Sequence, residues 1–289
     1  MTESPGKAVA AVTRLAGLRS QISRWRGDGE RVALVPTMGN LHAGHLALVE
    51  AARRQADRVV VSIFVNPTQF GPNEDFAAYP RTLREDLQAL GRTDCDLAWC
   101  PDVEAMYPLD HGFMVKAPSA LADTLCGRFR PGHFDGVASV VLRLFNQVQP
   151  DLALFGEKDF QQLLVLRWLA RDLSLPIEVL GFPTQRDDDG LALSSRNQYL
   201  SLSERAAAPM LSRSLRQLAD GLEAGRDWSN LKESALWALE EAGFKPQYLV
   251  WCSAEDLGPP RPDAPQRLLV AAWLGKARLI DNLPIDPRR

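Results

Sequence analysis

This chain of 289 residues lacks the features that mark several specialised classes of protein. No apolar run reaches the length of a membrane span, so we expect no membrane partner. The start, M-T-E-S-P-G-K, has no apolar core of the kind that a secretory signal needs. The formal net charge is −3, which argues against nucleic acid as the main partner. We therefore expect a cytoplasmic protein.

Cysteine is scarce, and its spacing excludes the common cysteine-based sites. The four cysteines form no C-x-x-C pair and no pattern typical of zinc: Cys95, Cys100, Cys126 and Cys252. We expect free, buried thiols in a reducing compartment. With 46% hydrophobic and 24% charged residues, the composition is that of an ordinary globular protein, with one large domain or two smaller ones.

The most informative stretch is P-T-M-G-N-L-H-A-G-H at residues 36–45. An apolar run leads into it and a helical pattern leads out, which predicts a strand, a glycine-bearing loop and a helix. Such a junction directs backbone N–H groups and the positive end of a helix dipole at one point. His42 and His45, three residues apart, can both face that point. This arrangement suits a reacting nucleotide phosphate, with plain turn-shaping glycines and a capping histidine as the alternative.

The first two thirds of the chain alternate strand and helix patterns. The sequence predicts an α/β fold with a parallel sheet, because strand, helix and strand follow one another within short distances. Residues 107–135 carry no regular pattern. Strands are predicted at 31–35, 58–65, 96–100, 151–155 and 177–182, and helices at 8–26, 46–56, 80–92, 137–148 and 160–173.

The pattern changes beyond Tyr199. Helices are predicted at 203–224 and 228–242, followed by a strand at 247–252 and a β-hairpin over 268–283. We place a domain boundary near residue 185, giving domains 1–185 and 186–289. The second is a smaller α+β domain, and the cleft between the two is the default ligand site.

Two further strand ends carry groups that handle phosphate. Gly156 and Lys158 follow one predicted strand, and Ser194-Ser195-Arg196 follows another. Hydroxyls and a guanidinium match phosphate oxygens well. Gln69 stands where it could meet a substrate, because ligands gather beyond the carboxyl ends of parallel strands.

Three other polar stretches are open to a structural interpretation. Asn66 before Pro67 has the chemistry of a plain turn. The loop Arg128–His133 is either a mobile anion-binding flap or simply a polar loop. The acidic run Asp187–Asp189 is read as a solvated turn and not as a metal site, since three adjacent side chains cannot converge on one ion.

Five motifs, taken in order, resemble the pantothenate synthetase family, whose members are pantoate–β-alanine ligases. They are the stretch at 36–45, V-N-P-T-Q-F at 65–70, R-P-G-H-F at 130–134, F-G-E-K-D-F-Q-Q at 155–162 and L-S-S-R-N at 193–197. The resemblance implies a Rossmann-like parallel sheet domain, a smaller C-terminal domain and a homodimer. It also implies a two-step ligation: pantoate attacks ATP·Mg²⁺ to give pantoyl adenylate and pyrophosphate, and β-alanine then displaces AMP.

The same resemblance implies roles for individual residues. His45, His42, Lys158 and Arg196 would be catalytic, and Gln69 and Gln162 would bind pantoate. The ATP-binding set would be Met38, Gly39, Asn40, Leu41, His42, Ala43, Gly44, His45, Gly156, Glu157, Lys158, Asp159, Gln185, Leu193, Ser194, Ser195 and Arg196. Two departures from the family pattern are Gln185, where an apolar residue is expected, and Trp251-Cys252-Ser253, where an Arg-Asp strand end is usual.

Two other functions are compatible with part of this pattern. A nucleotidylyltransferase shares the H-x-G-H element and needs no amine-accepting step. A nucleotide-binding regulatory protein would keep the pocket without turnover, although binding alone does not need His45, Lys158 and Arg196 together. An aminoacyl-tRNA synthetase is disfavoured, because the chain has no basic tRNA-binding domain.

Overall fold

The computed structural model describes residues 9–72, 74, 76–110 and 112–285. The expectation about a secretory signal, and the start of the first predicted helix, concern residues 1–8 and lie outside the described residues. The chain divides into two compact units. The N-terminal unit comprises the residues up to Glu157 plus Gln162–Pro183, and the C-terminal unit comprises Lys158–Gln161 plus the residues from Thr184 onward.

The N-terminal unit is built on a six-stranded sheet in which every pairing is parallel. Its order is β1-β4-β3-β2-β5-β6, which confirms the predicted α/β fold with a Rossmann-like parallel sheet. Helices cross between successive strands, as parallel pairing requires. The strands are β1 Ala10–Val12, β2 Val32–Thr37, β3 Arg58–Ile63, β4 Leu97–Trp99, β5 Leu152–Gly156 and β6 Glu178–Phe182.

Helices account for most of the remaining residues of this unit. They are α1 Leu15–Gly27, α2 Ala43–Arg53, α3 Leu83–Leu90, α4 Val103–Met106, α5 Ser119–Ala122, α6 Leu125–Phe129, α7 His133–Val148 and α8 Phe160–Asp172.

The prediction of one helix over 8–26 was wrong at its start. Residues 10–12 form β1, which pairs with β4 in register Ala10↔Leu97. Periodicity within the segment cannot reveal a partner strand that lies far along the chain. The expectation of an irregular segment over 107–135 was also wrong in part, since it contains α5, α6 and the first turn of α7.

The strand order reverses next to β2. This strand pairs with β3 along its whole length and with β5 through Ala33↔Leu152 and Leu34↔Ala153. Because all three strands are parallel, the segments that leave β2 and β5 start at the same edge of the sheet. A reversal of this kind is where open α/β sheets bind ligands. Val32–Val35 and Val59–Val61 are fully buried, so the reversal is set in the middle of the core.

The C-terminal unit has a three-stranded antiparallel sheet with order β7-β8-β9, covered by helices. The predicted hairpin is present, and its strands run longer than expected. The predicted helix 203–224 is two helices, because Pro209 at the start of the second cannot sit inside one continuous helix. The elements are α9 Leu202–Ala207, α10 Met210–Glu223, α11 Trp228–Glu241, β7 Phe244–Ser253, β8 Gln266–Leu274 and β9 Ala277–Ile285.

The unusual strand end at residues 251–253 is accommodated inside this unit. The indole N–H of Trp251 donates to Gln266 Oε1 at 2.8 Å, and its ring lies 5.8 Å from that of Trp228. Cys252 and Ser253 are buried in the same strand. The departure from the family pattern therefore leaves the packing of the sheet intact.

The four cysteines are free thiols, as expected. Cys100, Cys126 and Cys252 are buried, and Cys95 is half-buried. Burial raises the pKa of Cys95 and Cys252 to about 12, so both thiols stay protonated near neutral pH. Among the described residues, no helix combines the length and apolarity needed to cross a bilayer.

Candidate functional site

The loop that leaves β2 is held in a conformation that depends on glycine. Gly39 has φ +79°, and Asn40, which follows it, has φ +50°. A Cβ atom at position 39 would lie 2.9 Å from Asp86 Oδ2 and 3.2 Å from Ile63 Cγ2. Glycine is therefore required here by both the backbone conformation and the close approach of a carboxylate.

Asp86 is the anchor of this loop. It lies in α3, is 3% exposed, and accepts hydrogen bonds from the backbone N–H groups of Asn40 at 3.1 Å and Leu41 at 2.8 Å. A carboxylate makes such bonds stronger than a neutral acceptor would. Sequence reasoning missed Asp86, although one signal was available: it stands four residues before the fully buried Leu90, on the same helical face.

His42 and His45 bond to the backbone at the start of α2. Nδ1 of His42 accepts from the N–H of Gly44 at 3.2 Å, and Nδ1 of His45 accepts from the N–H of His42 at 3.3 Å. Their ring centroids are 4.1 Å apart. A neutral imidazole that accepts at Nδ1 carries its proton on Nε2. Both histidines are thus capping residues whose donor groups are Nε2–H.

Gln69 is joined directly to this loop. Its Nε2 donates to the sulfur of Met38 at 3.0 Å, and its Oε1 accepts from Asn66 Nδ2 at 3.1 Å. Asn66 has the expected turn role, since its Oδ1 accepts from Thr68 N–H. The same oxygen accepts from the hydroxyl of Tyr107 at 2.7 Å, and burial raises the pKa of that phenol, which keeps it a donor.

A second chain of contacts reaches Gln69 through its backbone. Arg130 pairs with Glu74 through two bonds of 2.7 and 2.6 Å, and its Nη1 lies 2.9 Å from His133 Nε2. A guanidinium only donates, so His133 accepts at Nε2 and donates from Nδ1 to the Gln69 carbonyl at 2.8 Å. Because Arg130 is already bonded to Glu74 and His133, the structure favours a role in supporting Gln69 over a role in binding an anion.

The segments that follow β5 are divided between the units. Gly156 ends β5 opposite Phe182, and Gln162 is half-buried in the first turn of α8, both in the N-terminal unit. Lys158 and Asp159 belong to the C-terminal unit, where the ammonium of Lys158 lies 3.3 Å from Asp159 Oδ2. The Lys158 side chain is 20% exposed.

The structure brings Gln185 together with the 193–196 segment. The N–H of Leu193 donates to the Gln185 carbonyl at 2.9 Å, and Ser194 Oγ accepts from the N–H of Arg196 at 3.3 Å. The first of these bonds involves only the backbone of Gln185, so it does not depend on the type of side chain at this position. The acidic run is a turn, as expected: Asp187 and Asp189 both pair with Arg205.

Comparisons with known proteins agree on one family. A model of the family described as Pantoate-beta-alanine ligase matches residues 10–284. The pantothenate synthetase of Chromohalobacter salexigens is 57% identical over 93% of this chain and 96% of its own length. That of Stutzerimonas stutzeri is 55% identical over 96% and 98%, respectively.

Solved structures agree with the sequence relatives. A pantothenate synthetase from Thermus thermophilus is similar with a TM-score of 0.89 and 46% identity, covering 95% of this chain and 99% of the other. A pantoate-beta-alanine ligase from Francisella tularensis, solved in complex with beta-gamma ATP and beta-alanine, is similar with a TM-score of 0.82 and 34% identity, covering 96% and 97%.

Asp86→Asn should loosen the loop after β2. The amide offers one acceptor oxygen where the carboxylate offers two, so the backbone N–H of either Asn40 or Leu41 loses its partner. We expect the free energy of unfolding to fall by about 1–3 kcal/mol, with faster hydrogen exchange at both amides measured by NMR. Glu85→Gln, at the exposed neighbouring acid of α3, is the matched control. Unchanged exchange in Asp86→Asn would show that the carboxylate does not hold the loop.

Gly136→Ala should displace the turn that carries Gln69. A Cβ atom on Gly136 in α7 would lie 2.3 Å from the Thr68 carbonyl oxygen. We expect a destabilisation of about 1–3 kcal/mol, measured by chemical denaturation. Gly17→Ala in α1 is the control, since its Cβ would meet only Val12 Cγ1 at 3.8 Å, and alanine in a helix is favoured over glycine. Equal stability of the two variants would contradict the close packing.

Proposed function

The chain belongs to the pantoate-beta-alanine ligase family and joins pantoate to β-alanine with consumption of ATP, and we propose how its own residues carry out the reaction. The pantoate carboxylate attacks the α-phosphorus, the bond to the β-phosphate breaks, and pyrophosphate leaves. The amine of β-alanine then attacks the acyl carbon of pantoyl adenylate, and AMP leaves. Negative charge moves onto phosphate oxygens in the first step and onto the AMP phosphate in the second.

The two histidines supply donors for that charge. Because each ring accepts a hydrogen bond from a backbone N–H at Nδ1, each presents Nε2–H in its neutral form. We assign His45 as the general acid or charge stabiliser at the α-phosphate and His42 as its partner beside the triphosphate. The N-terminus of α2, which begins at Ala43, adds the positive end of a helix dipole to the attraction for phosphate. This orientation of the rings is the observation that carries the proposal.

Cationic and hydroxyl side chains are the second set of groups that we propose for nucleotide binding. Lys158 and Arg196 would stabilise the charge on the departing pyrophosphate, with Gly156, Glu157, Asp159, Gln185, Leu193, Ser194 and Ser195 binding the rest of ATP. Donors that are placed before the reaction lower its barrier more than mobile ones. Arg196 is positioned through its own backbone, since its N–H donates to Ser194 Oγ.

Gln69 and Gln162 are the residues that we propose for pantoate. A primary amide can donate to a carboxylate oxygen and accept from a hydroxyl, and pantoate carries both groups. A neutral side chain also adds no charge that would hold the pantoate carboxylate too tightly or repel it. Gln69 is buried and bonded on both sides of its amide, so its orientation is set by Met38 and Asn66.

The proposal has four remaining parts: the metal ion, the oligomeric state, the compartment and the domain boundary. Within the described residues, no group of three or more His, Cys, Asp or Glu side chains could hold a metal ion. We propose that Mg²⁺ enters with ATP, whose phosphate oxygens are its usual ligands and whose charge it would partly neutralise. We also propose that the chain acts as a homodimer in the cytoplasm, with a domain boundary near residue 185 and the short segment Lys158–Gln161 in the C-terminal unit.

Isotope exchange between pyrophosphate and ATP tests the function. With pantoate present and β-alanine absent, a ligase that forms an acyl adenylate exchanges label into ATP. With β-alanine added, it releases AMP and forms an amide. A nucleotidylyltransferase would keep the nucleotide on its product, and a regulatory protein would show no turnover. Absence of both exchange and AMP release would overturn the proposed reaction.

His45→Ala and Lys158→Ala should each lower kcat by about a hundredfold or more, because each removes one donor to the reacting phosphates. Folding should be unaffected by Lys158→Ala, since the bond from its ammonium goes to the adjacent, half-exposed Asp159. Lys245→Ala, at an exposed lysine of the same unit, is the control. Steady-state rates near those of the unsubstituted enzyme in both variants would rule out the assigned roles.

A further inference from the structure

The backbone of Lys158 is bonded to a strand that lies far along the sequence. Its carbonyl oxygen accepts from Asn282 Nδ2 at 2.9 Å, across 124 positions of the chain. Asn282 lies in β9 and is 2% exposed. Lys158 and Asn282 both belong to the C-terminal unit.

The orientation of the Asn282 amide is set by its other contacts. Its Oδ1 accepts from Arg267 Nη1 at 2.6 Å, and its backbone N–H donates to Asp281 Oδ1 at 2.7 Å. A guanidinium can only donate, so the amide oxygen must face Arg267 and the NH₂ group must face the Lys158 carbonyl. No other arrangement satisfies both neighbours.

Arg267 holds the same segment at a second point. Its guanidinium carbon lies 3.9 Å from the centre of the Phe160 ring, two residues after Lys158. Arg267 is 7% exposed and Phe160 is 3% exposed, and a cation–π contact is strongest where water is excluded. Residues 158–160 are therefore held both by a hydrogen bond to the backbone and by a ring contact.

The neighbouring residue of β9 supports the other nucleotide-binding segment of this unit. Asp281 pairs with Arg186 through two bonds of 2.7 and 2.8 Å, and its side chain is 2% exposed. Arg186 follows Gln185, whose carbonyl binds Leu193. Asn282 thus binds the backbone of Lys158, and its neighbour Asp281 binds the guanidinium of Arg186, the residue after Gln185.

We propose that Asn282 is a positioning residue that fixes the backbone from which Lys158 reaches the phosphates. This inference rests on the proposed role of Lys158. A lysine ammonium ends a flexible four-carbon stem, so its average position depends strongly on where its backbone is held. A charge placed for the transition state loses much of its effect when it must first be ordered. Asn282, aligned by Arg267, removes that freedom at the Cα end of the stem.

Asn282→Asp separates the two contacts of this side chain. The carboxylate keeps an acceptor for Arg267, but it has no N–H to donate to the Lys158 carbonyl and places an oxygen against it. We expect kcat for adenylate formation to fall about tenfold, with KM for pantoate within about twofold of its normal value. Asn230→Asp, at an exposed asparagine of the same unit, controls for the added charge.

A double-mutant cycle with Lys158→Ala identifies the route of the effect. If Asn282 acts through the lysine, Asn282→Asp should lower kcat by less than about twofold in the Lys158→Ala background, where the ammonium is absent. Equal fractional losses in both backgrounds would overturn the inference, as would a normal rate for Asn282→Asp alone. If kcat is low in Lys158→Ala but normal in Asn282→Asp, the inference about Asn282 is overturned and the proposed role of Lys158 stands. A normal rate for Lys158→Ala would overturn the proposed role of Lys158 as well.

A second variant serves if Asn282→Asp fails to fold. Phe160→Leu removes the ring beneath Arg267 and adds no polar group. The same cycle with Lys158→Ala should again show a loss that disappears when the ammonium is absent. A loss that persists at full size in the Lys158→Ala background would overturn the inference.

Discussion

Backbone N–H groups at the start of α2 determine what the two histidines can do. Those of His42 and Gly44 each donate to an imidazole Nδ1, and a backbone amide does not give up its proton. The neutral rings must then carry their own protons on Nε2. Capping and catalysis, which the sequence leaves as alternatives for these residues, are therefore compatible in one side chain. The local need of a helix for acceptors sets the tautomer that our proposed reaction requires.

Buried polar side chains bind the backbones of the segments that carry the proposed site residues. Asp86 binds the loop after β2, His133 binds the carbonyl of Gln69, and Asn282 binds the carbonyl of Lys158. Burying such groups without partners is costly, so each arrangement is stable only when its bonds are made together. This requirement selects a single backbone geometry for each segment.

The sheet was largely predictable from the sequence, because its strands are short apolar runs such as Val32–Val35 and Arg58–Ile63, separated by helical periodicity. The exceptions have physical reasons. β1 is defined by its pairing with β4, which no local pattern shows. The break between α9 and α10 follows from Pro209 and was readable, but the surrounding helical periodicity obscured it.

The residues of the candidate site were likewise predictable only in part. Glycines, histidines and a lysine just after predicted strands make Gly39, His45 and Lys158 candidates for the site, and their roles in it stay predictions. Asp86 and Asn282 were not predicted, because their partners lie 46 and 124 positions away and only the folded chain brings them together. An aspartate on the apolar face of α3 was a usable signal. Nothing in the sequence around Asn282 distinguishes it from an ordinary strand asparagine.

Gln69 shows how such supports orient a side chain that we propose to bind pantoate. Asn66 holds its amide oxygen, so the direction of its N–H groups is already set. One of those groups donates to the Met38 sulfur, and a thioether is a weak acceptor. A carboxylate or hydroxyl oxygen of pantoate would form a stronger bond in the same direction, since bonds to a charged acceptor are stronger than neutral ones. Replacing the Met38 sulfur by a pantoate oxygen as the acceptor would then favour binding without any reorientation of the amide. A glutamine that is free in solvent would have to be ordered first, and Gln69 avoids that entropic cost.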